Sequence, residues 1–249
     1  MDFSPTPVEV ADMGWRVLRR AGARAFAVLV VVGFIPERMI DGLMGSHLAT
    51  GAWEAGVDLA IWGASLVVLG LAYVIAQRMM VDEMDGPPRV DWTAQAVWRQ
   101  VRQGAWLFAL GGWLVVTVMA AKIWLAQVNP GAGAALWYTT VYFVPAFVVD
   151  RRPLRVCARN ALTLARSHSP GIIVAVLLSL VLQWGLSIVQ NAGFGLVAMA
   201  VSSEQVTGAL DCLIRAAAGL VLAAWTMGLY GCLRGRVEGA AQRVADMFD

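Results

Sequence analysis

The chain has 249 residues, of which 59% are apolar and only 14% charged, with a formal net charge of +2. A soluble domain carries roughly 45–50% apolar and about 25% charged residues, so there is too little polar surface here to cover a soluble core of this size. Disorder is excluded as well, because it needs low hydrophobicity and high net charge, and the near-neutral balance argues against a nucleic-acid partner. The composition predicts an all-α integral membrane protein made of one polytopic helical bundle.

Six apolar runs carry that prediction, at about 21–35, 57–76, 105–125, 132–149, 172–189 and 208–233. In lipid such runs are helices, because every backbone N–H and C=O must be satisfied internally. The chain opens with Thr6-Pro7-Val8-Glu9, a capping box with proline at the first helical position. Glu9, Asp12, Arg16 and Arg19 then fall on one polar face. The first run is short of the ~20 residues a span needs, so it must borrow length from this amphipathic helix or continue past Pro36. No small-residue cleavage box borders Pro36-Glu37-Arg38, so this segment reads as retained rather than as a signal peptide. An outer loop over 36–56 follows, with Glu37, Asp41 and Glu54 against Arg38.

The second run begins near Asp58 and ends before a loop containing Gly86-Pro87-Pro88. Asp91 is the expected N-cap of a second amphipathic segment, with Asp91, Gln95, Arg99 and Arg102 on one face. Runs three and four are joined by a tight turn at Asn129-Pro130-Gly131. A third basic segment follows, with Arg152, Arg155, Arg159 and Arg166 on one face and Leu154, Cys157, Ala158, Ala161, Leu162 and Ala165 on the other. Such helices lie in the headgroup plane or cap the bundle. After run five, the apolar stretch 192–201 either lies at the interface or continues the span. Run six contains Asp211 and Arg215.

Charge placement gives the orientation. Sixteen of the 19 Lys and Arg residues sit in the N-terminal segment, the second and fourth connections and the C-terminal tail. The positive-inside rule makes those sides cytoplasmic, which predicts six spans with both termini inside a bacterial cell. The order basic helix, span, loop, span repeats three times, in units of about 6–80, 90–150 and 151–236 within a single membrane domain over 1–249.

One stretch carries a family resemblance. Tyr142-Phe143-Val144-Pro145 ends a span, Asp150-Arg151-Arg152-Pro153 makes an acidic and basic turn, and Cys157-Ala158-Arg159-Asn160-Ala161-Leu162-Thr163-Leu164-Ala165-Arg166 forms a basic helix. Ser169-Pro170-Gly171 then breaks into the next span. This resembles the six-span bacterial glycerophosphoryl diester phosphodiesterase membrane-domain family and its uncharacterised relatives, in topology over most of the chain and in pattern over about 92–190. The resemblance implies a membrane location and a helical fold. It also implies that the phosphodiesterase chemistry belongs to a separate soluble barrel, so no catalytic residue is carried over.

Two clusters are candidate sites. Arg151, Arg152, Arg155, Arg159 and Arg166 form the densest basic face, suited to anionic lipid headgroups or an acidic protein partner, although positive-inside charge alone also accounts for it. Asp211 and Arg215 lie four residues apart within a span and form either a proton or substrate path or an intrahelical ion pair, with Asp58 as a possible third member. Glycines at 63, 70, 111, 112, 219, 228 and 231 favour close helix packing, and tryptophans at 53, 92, 98, 106 and 137 flank spans as interfacial belts do. Ser167-His168-Ser169 lacks an oxyanion device and an acidic orienter. Cys157, Cys212 and Cys232 make neither a disulfide framework nor a zinc pattern. No cofactor or metal is expected. The sequence thus predicts a non-enzymatic inner-membrane scaffold, assembly factor or accessory subunit that works with a protein partner or as a homo-oligomer. The alternative is a small transporter or channel subunit that handles lipid.

Overall fold

The computed structural model describes residues 5–45, 52–84, 92–102, 142–167, 170–200 and 203–245. These residues are helices joined by short turns, with no strand among them. Helix α1 (Pro7–Val28) passes through a π-helical turn (Leu29–Phe34) into α2 (Ile35–Gly45). Helix α3 covers Ala52–Met84, α4 covers 94–102, and a second π turn (Pro145–Val149) precedes α5 (Leu154–Ser167). Helices α6 (Pro170–Ala200) and α7 (Glu204–Ala245) complete the order.

The first helix starts where its sequence dictates. Thr6 Oγ1 accepts from the Glu9 amide at 3.3 Å, and Glu9 Oε2 accepts from the Thr6 amide at 2.7 Å. Val10, Gly14, Val17, Ala21, Ala25 and Val28 form the buried stripe at helical spacing. Proline 36 does not end the helix. It has no N–H to offer the carbonyl four residues back, and the widened turn just before it absorbs the mismatch, with the Ile35 amide bonding Val30 O in a π pattern. The short first run therefore both borrows from the amphipathic helix and continues past Pro36. The expected outer loop over 36–56 is helical up to Gly45 and again from Ala52.

Other boundaries shift in the same direction. The second run extends to Met84, and the sixth extends into a 42-residue helix that carries Arg234 and Arg236 beyond its apolar part. The 192–201 stretch is helical to Ala200 and continues α6. Thr93, not Asp91, caps α4: its Oγ1 accepts from the Ala96 amide at 3.3 Å. Run three, most of run four, Lys122, the Asn129-Pro130-Gly131 turn and Asp91 lie outside the described residues, as does most of the second repeat unit.

The core lies where α1, α3 and α7 meet, and α6 packs on α7. Glycines set the approach of α1 to α7. A Cβ on Gly14 would stand 2.8 Å from the Ala224 carbonyl oxygen, and one on Gly228 would strike the Val10 carbonyl oxygen. Backbones this close need residues without side chains. Among the described residues two stretches have the length and hydropathy of a membrane crossing: Gly63–Met84 and Gln205–Gly239, each with a mean hydropathy of 1.7.

Candidate functional site

Two polar clusters flank the apolar middle of α7. Arg215 and Tyr230 are fifteen residues apart on this helix, which at 1.5 Å per residue separates the clusters by roughly 22 Å. No charged residue lies between them.

The first cluster centres on Arg215. Its guanidinium donates to Glu37 Oε1 at 2.6 Å and lies 5.1 Å from the centre of the Phe34 ring. The expected partner, Asp211, is only at 3.9 Å. Glu37 is the stronger partner because the π turn and Pro36 keep the chain helical and bring it alongside α7. The side chain of Asp58 lies outside the description. Beside this pair, Val30, Ile35, Met39, Ala209, Cys212 and Leu213 line a mostly apolar cavity of about 520 Å³, together with Arg38. The Cys212 thiol donates to the Phe34 carbonyl at 3.6 Å.

The second cluster is larger and is built around the turn after the π segment Pro145–Val149. The wide helix ends with the Asp150 amide bonding Pro145 O and the Arg152 amide bonding Ala146 O. Arg151 then takes a left-handed conformation, with φ of 54°, which is uncommon for a residue with a Cβ. This turn aims Asp150 into the bundle, where it accepts from Arg152 Nε at 2.6 Å and from the Tyr230 hydroxyl at 2.6 Å. Arg234 Nη1 lies 3.7 Å from the same carboxylate. Glu238 closes the set by pairing with Arg152 and, at 3.5 Å, with Arg234. Burial alone would lower the Arg152 pKa, but the Asp150 hydrogen bond and charge, with Glu238, more than reverse this and raise it above the ordinary value.

The predicted basic face therefore divides. Arg152 turns toward the bundle and joins the Asp150 set, whereas Arg151 stays exposed and donates to Gln100 Oε1 at 2.6 Å. Arg155 and Arg159 are exposed on α5. The side chain of Arg166 lies outside the description, as do His168 and Ser169. Arg152 precedes α5 rather than sharing its face. The stripe that α5 buries is Cys157, Asn160, Ala161 and Leu164, whereas Leu154 and Leu162 are more than half exposed. Asn160 is polar yet buried because its amide donates to the Tyr142 hydroxyl at 3.0 Å. Burial raises the Cys157 thiol above its usual pKa.

The sequence reading missed Glu37, Arg78, Gln100, Asn160, Tyr230 and Glu238. Arg78, at the cytoplasm-predicted end of α3, is buried and donates to Gln100 Oε1 at 2.9 Å and to Val148 O at 2.8 Å. Nearby, Glu83 accepts from Arg24 at 2.7 Å, and Asp82 accepts from Trp92 Nε1 at 3.1 Å. Among the described residues no group of three or more His, Cys, Asp or Glu side chains is arranged to hold a metal ion. No family model matches the chain, and neither a curated protein nor a solved structure matches it.

Proposed function

We propose that this chain is a multi-pass protein of a bacterial inner membrane, with six spans and both termini cytoplasmic. In this reading it acts without catalysis, as a scaffold, assembly factor or accessory subunit of a larger membrane complex. The observation that carries the reading is the open apolar face of α6. This helix has no charged residue in its 31 positions. Val181, Trp184, Ile188, Val189, Leu196 and Met199 are all more than half exposed, Met199 by 83%. Gly185 and Gly195 interrupt the same helix, and a Cβ at either would meet nothing within 4 Å. Glycine costs a helix about 1 kcal/mol relative to alanine, and lipid tails do not require it. A second helix packing closely does.

Three further features support the membrane setting. The two candidate spans are 53% and 44% buried, so about half of each faces outward. The two polar clusters are separated by an uncharged stretch of roughly 22 Å, most of the ~30 Å of a hydrocarbon core. The Asp150 end is also the end where the arginines gather, as positive-inside orientation requires. The resemblance of residues 92–190 to the phosphodiesterase membrane-domain family belongs to the same reading.

The test is the native mass of the full chain extracted in mild detergent. The expected result is a stoichiometric assembly, with a protein partner or a second copy, that dissociates in Gly185→Leu while the variant keeps its helicity. An assembly that also fails when Arg155 and Arg159 become Glu would place the partner on the exposed basic face of α5. A lone chain, unaltered by either change, would overturn the proposal. The cavity beside Arg215 favours a second reading, a small lipid-handling transporter or channel subunit. In that case transport in vesicles is lost in Asp211→Asn or Arg215→Gln and kept in the α5 variants.

A further inference from the structure

Four half-buried arginines, Arg152, Arg215, Arg234 and Arg236, each meet a carboxylate: Asp150, Glu37, Glu238 and Glu9 respectively. The most buried arginine among the described residues breaks this pattern. Arg78 is only 8% exposed, and among the described residues it meets no carboxylate. Among the described residues its partners are a neutral amide oxygen of Gln100 and the Val148 carbonyl, and its buried Nε has none. A second cation is held beside it. Arg151 donates to the same Gln100 oxygen, and it does so from a left-handed backbone that favours glycine. A buried guanidinium without a counter-charge is costly, and placing another cation next to it makes the deficit larger. Strain kept at such a position points to a use.

We propose that Arg78, Arg151 and Gln100 form a binding site for an anionic phosphate group, which supplies the missing negative charge. The guanidinium fork suits the geometry of phosphate oxygens. Arg151 is exposed and Arg78, on the same Gln100 oxygen, is buried, so the anion enters from the surface, meets Arg151 first and completes the field around Arg78. Its source is either an anionic phospholipid headgroup at the cytoplasmic interface or free phosphate. The lipid source rests on the membrane reading above; the free-phosphate source does not.

The experiment follows the thermal midpoint of the full chain in two settings: in detergent with inorganic phosphate against chloride at equal ionic strength, and in nanodiscs of phosphatidylcholine with and without phosphatidylglycerol. Occupancy at about ten times the dissociation constant raises the midpoint by roughly 3–5 °C. Arg151→Gln is expected to remove most of that rise, since it deletes one cation at an exposed position. Gln100→Glu is expected to raise the midpoint of the untreated protein and abolish the response, because it builds the carboxylate in. A response to phosphate in detergent identifies the free anion, and a response to phosphatidylglycerol alone identifies the headgroup. No response to either, or a response that persists unchanged in both variants, overturns the site.

Discussion

The two polar clusters on α7 solve the same problem with different balances of charge, even at one end and basic at the other. At the Arg215 end one guanidinium is held by Glu37 and flanked by Asp211, and with Arg38 beside them two carboxylates stand with two cations. At the Asp150 end Arg152, Arg234, Arg78 and Arg151 converge on a region whose carboxylates are Asp150 and Glu238. The asymmetry read from loop charges is thus also built into the packed helix ends. A basic end that holds its arginines by internal pairing differs from a loop that merely carries charge, because removing one carboxylate there strands more than one cation.

That difference predicts the largest effect. Asp150→Asn keeps the shape of the side chain but leaves Arg152 and Arg234 to share Glu238. Breaking a buried pair in this way costs about 3 kcal/mol, read as a fall of roughly 6–12 °C in thermal midpoint. A loss below about 1 kcal/mol would mean that Tyr230 and Glu238 alone hold the turn, and would remove the contrast between the ends. The helix packing near each cluster gives the next test. Gly228→Ala drives a methyl into the Val10 carbonyl oxygen, a backbone atom that cannot move alone, at a cost of about 2–3 kcal/mol. Gly219→Ala, nearer Arg215, meets the end of the Tyr73 side chain, which can turn aside. Its cost should be about half as large. Gly70→Ala, with open space around its Cβ, should be neutral or slightly stabilising. Equal losses at 219 and 228 would show that the two contacts are equally rigid.

At the Arg215 end the two carboxylates are unequal. Glu37 is 8% exposed at 2.6 Å, and Asp211 stands at 3.9 Å. Glu37→Gln is expected to lower stability by about 2 kcal/mol and Asp211→Asn by about 0.5 kcal/mol or less. Denaturant or thermal unfolding of both variants decides between this ranking and the simple intrahelical pair.

How much of this was legible depended on whether a signal was local. The capping box at Thr6 and Glu9 and the amphipathic face of α1 need only neighbours in sequence, and the structure forms them as read. The Asp211–Arg215 spacing was equally local, but the dominant partner of Arg215, Glu37, is 178 residues away from it. Pro36 concealed it, because a proline after an apolar run reads as a break, and only the π turn shows how the helix continues. Arg78 was hidden in a similar way: it falls just past the apolar run 57–76, where a charge marks the end of a run, and only the structure puts it in the packed end of a helix. Asn160 sat among apolar residues of the right period, and its need for the Tyr142 hydroxyl is a tertiary fact. Asp150 was visible in the family-like motif, but the inward aim of its carboxylate depends on the left-handed Arg151.

The smallest predicted effect tests the outermost layer of the basic end, where α1 and α7 meet in water. Glu9 is held below its usual pKa of 4.5 first by the Thr6 backbone N–H, then by the Thr6 hydroxyl, and further by Arg236 at 2.7 Å. The folded protein therefore binds the Glu9 proton less readily than the unfolded chain does. The contribution of this group is fully present above the unfolded value, begins to fall as pH drops through about 4.5, and is gone below the lowered folded value. Stability measured from pH 6 downward should thus show a shallow extra decline that is absent in Glu9→Gln, and smaller in Arg236→Gln, because Thr6 still holds the carboxylate there. An identical profile in wild type and Glu9→Gln would assign the acid sensitivity to other carboxylates.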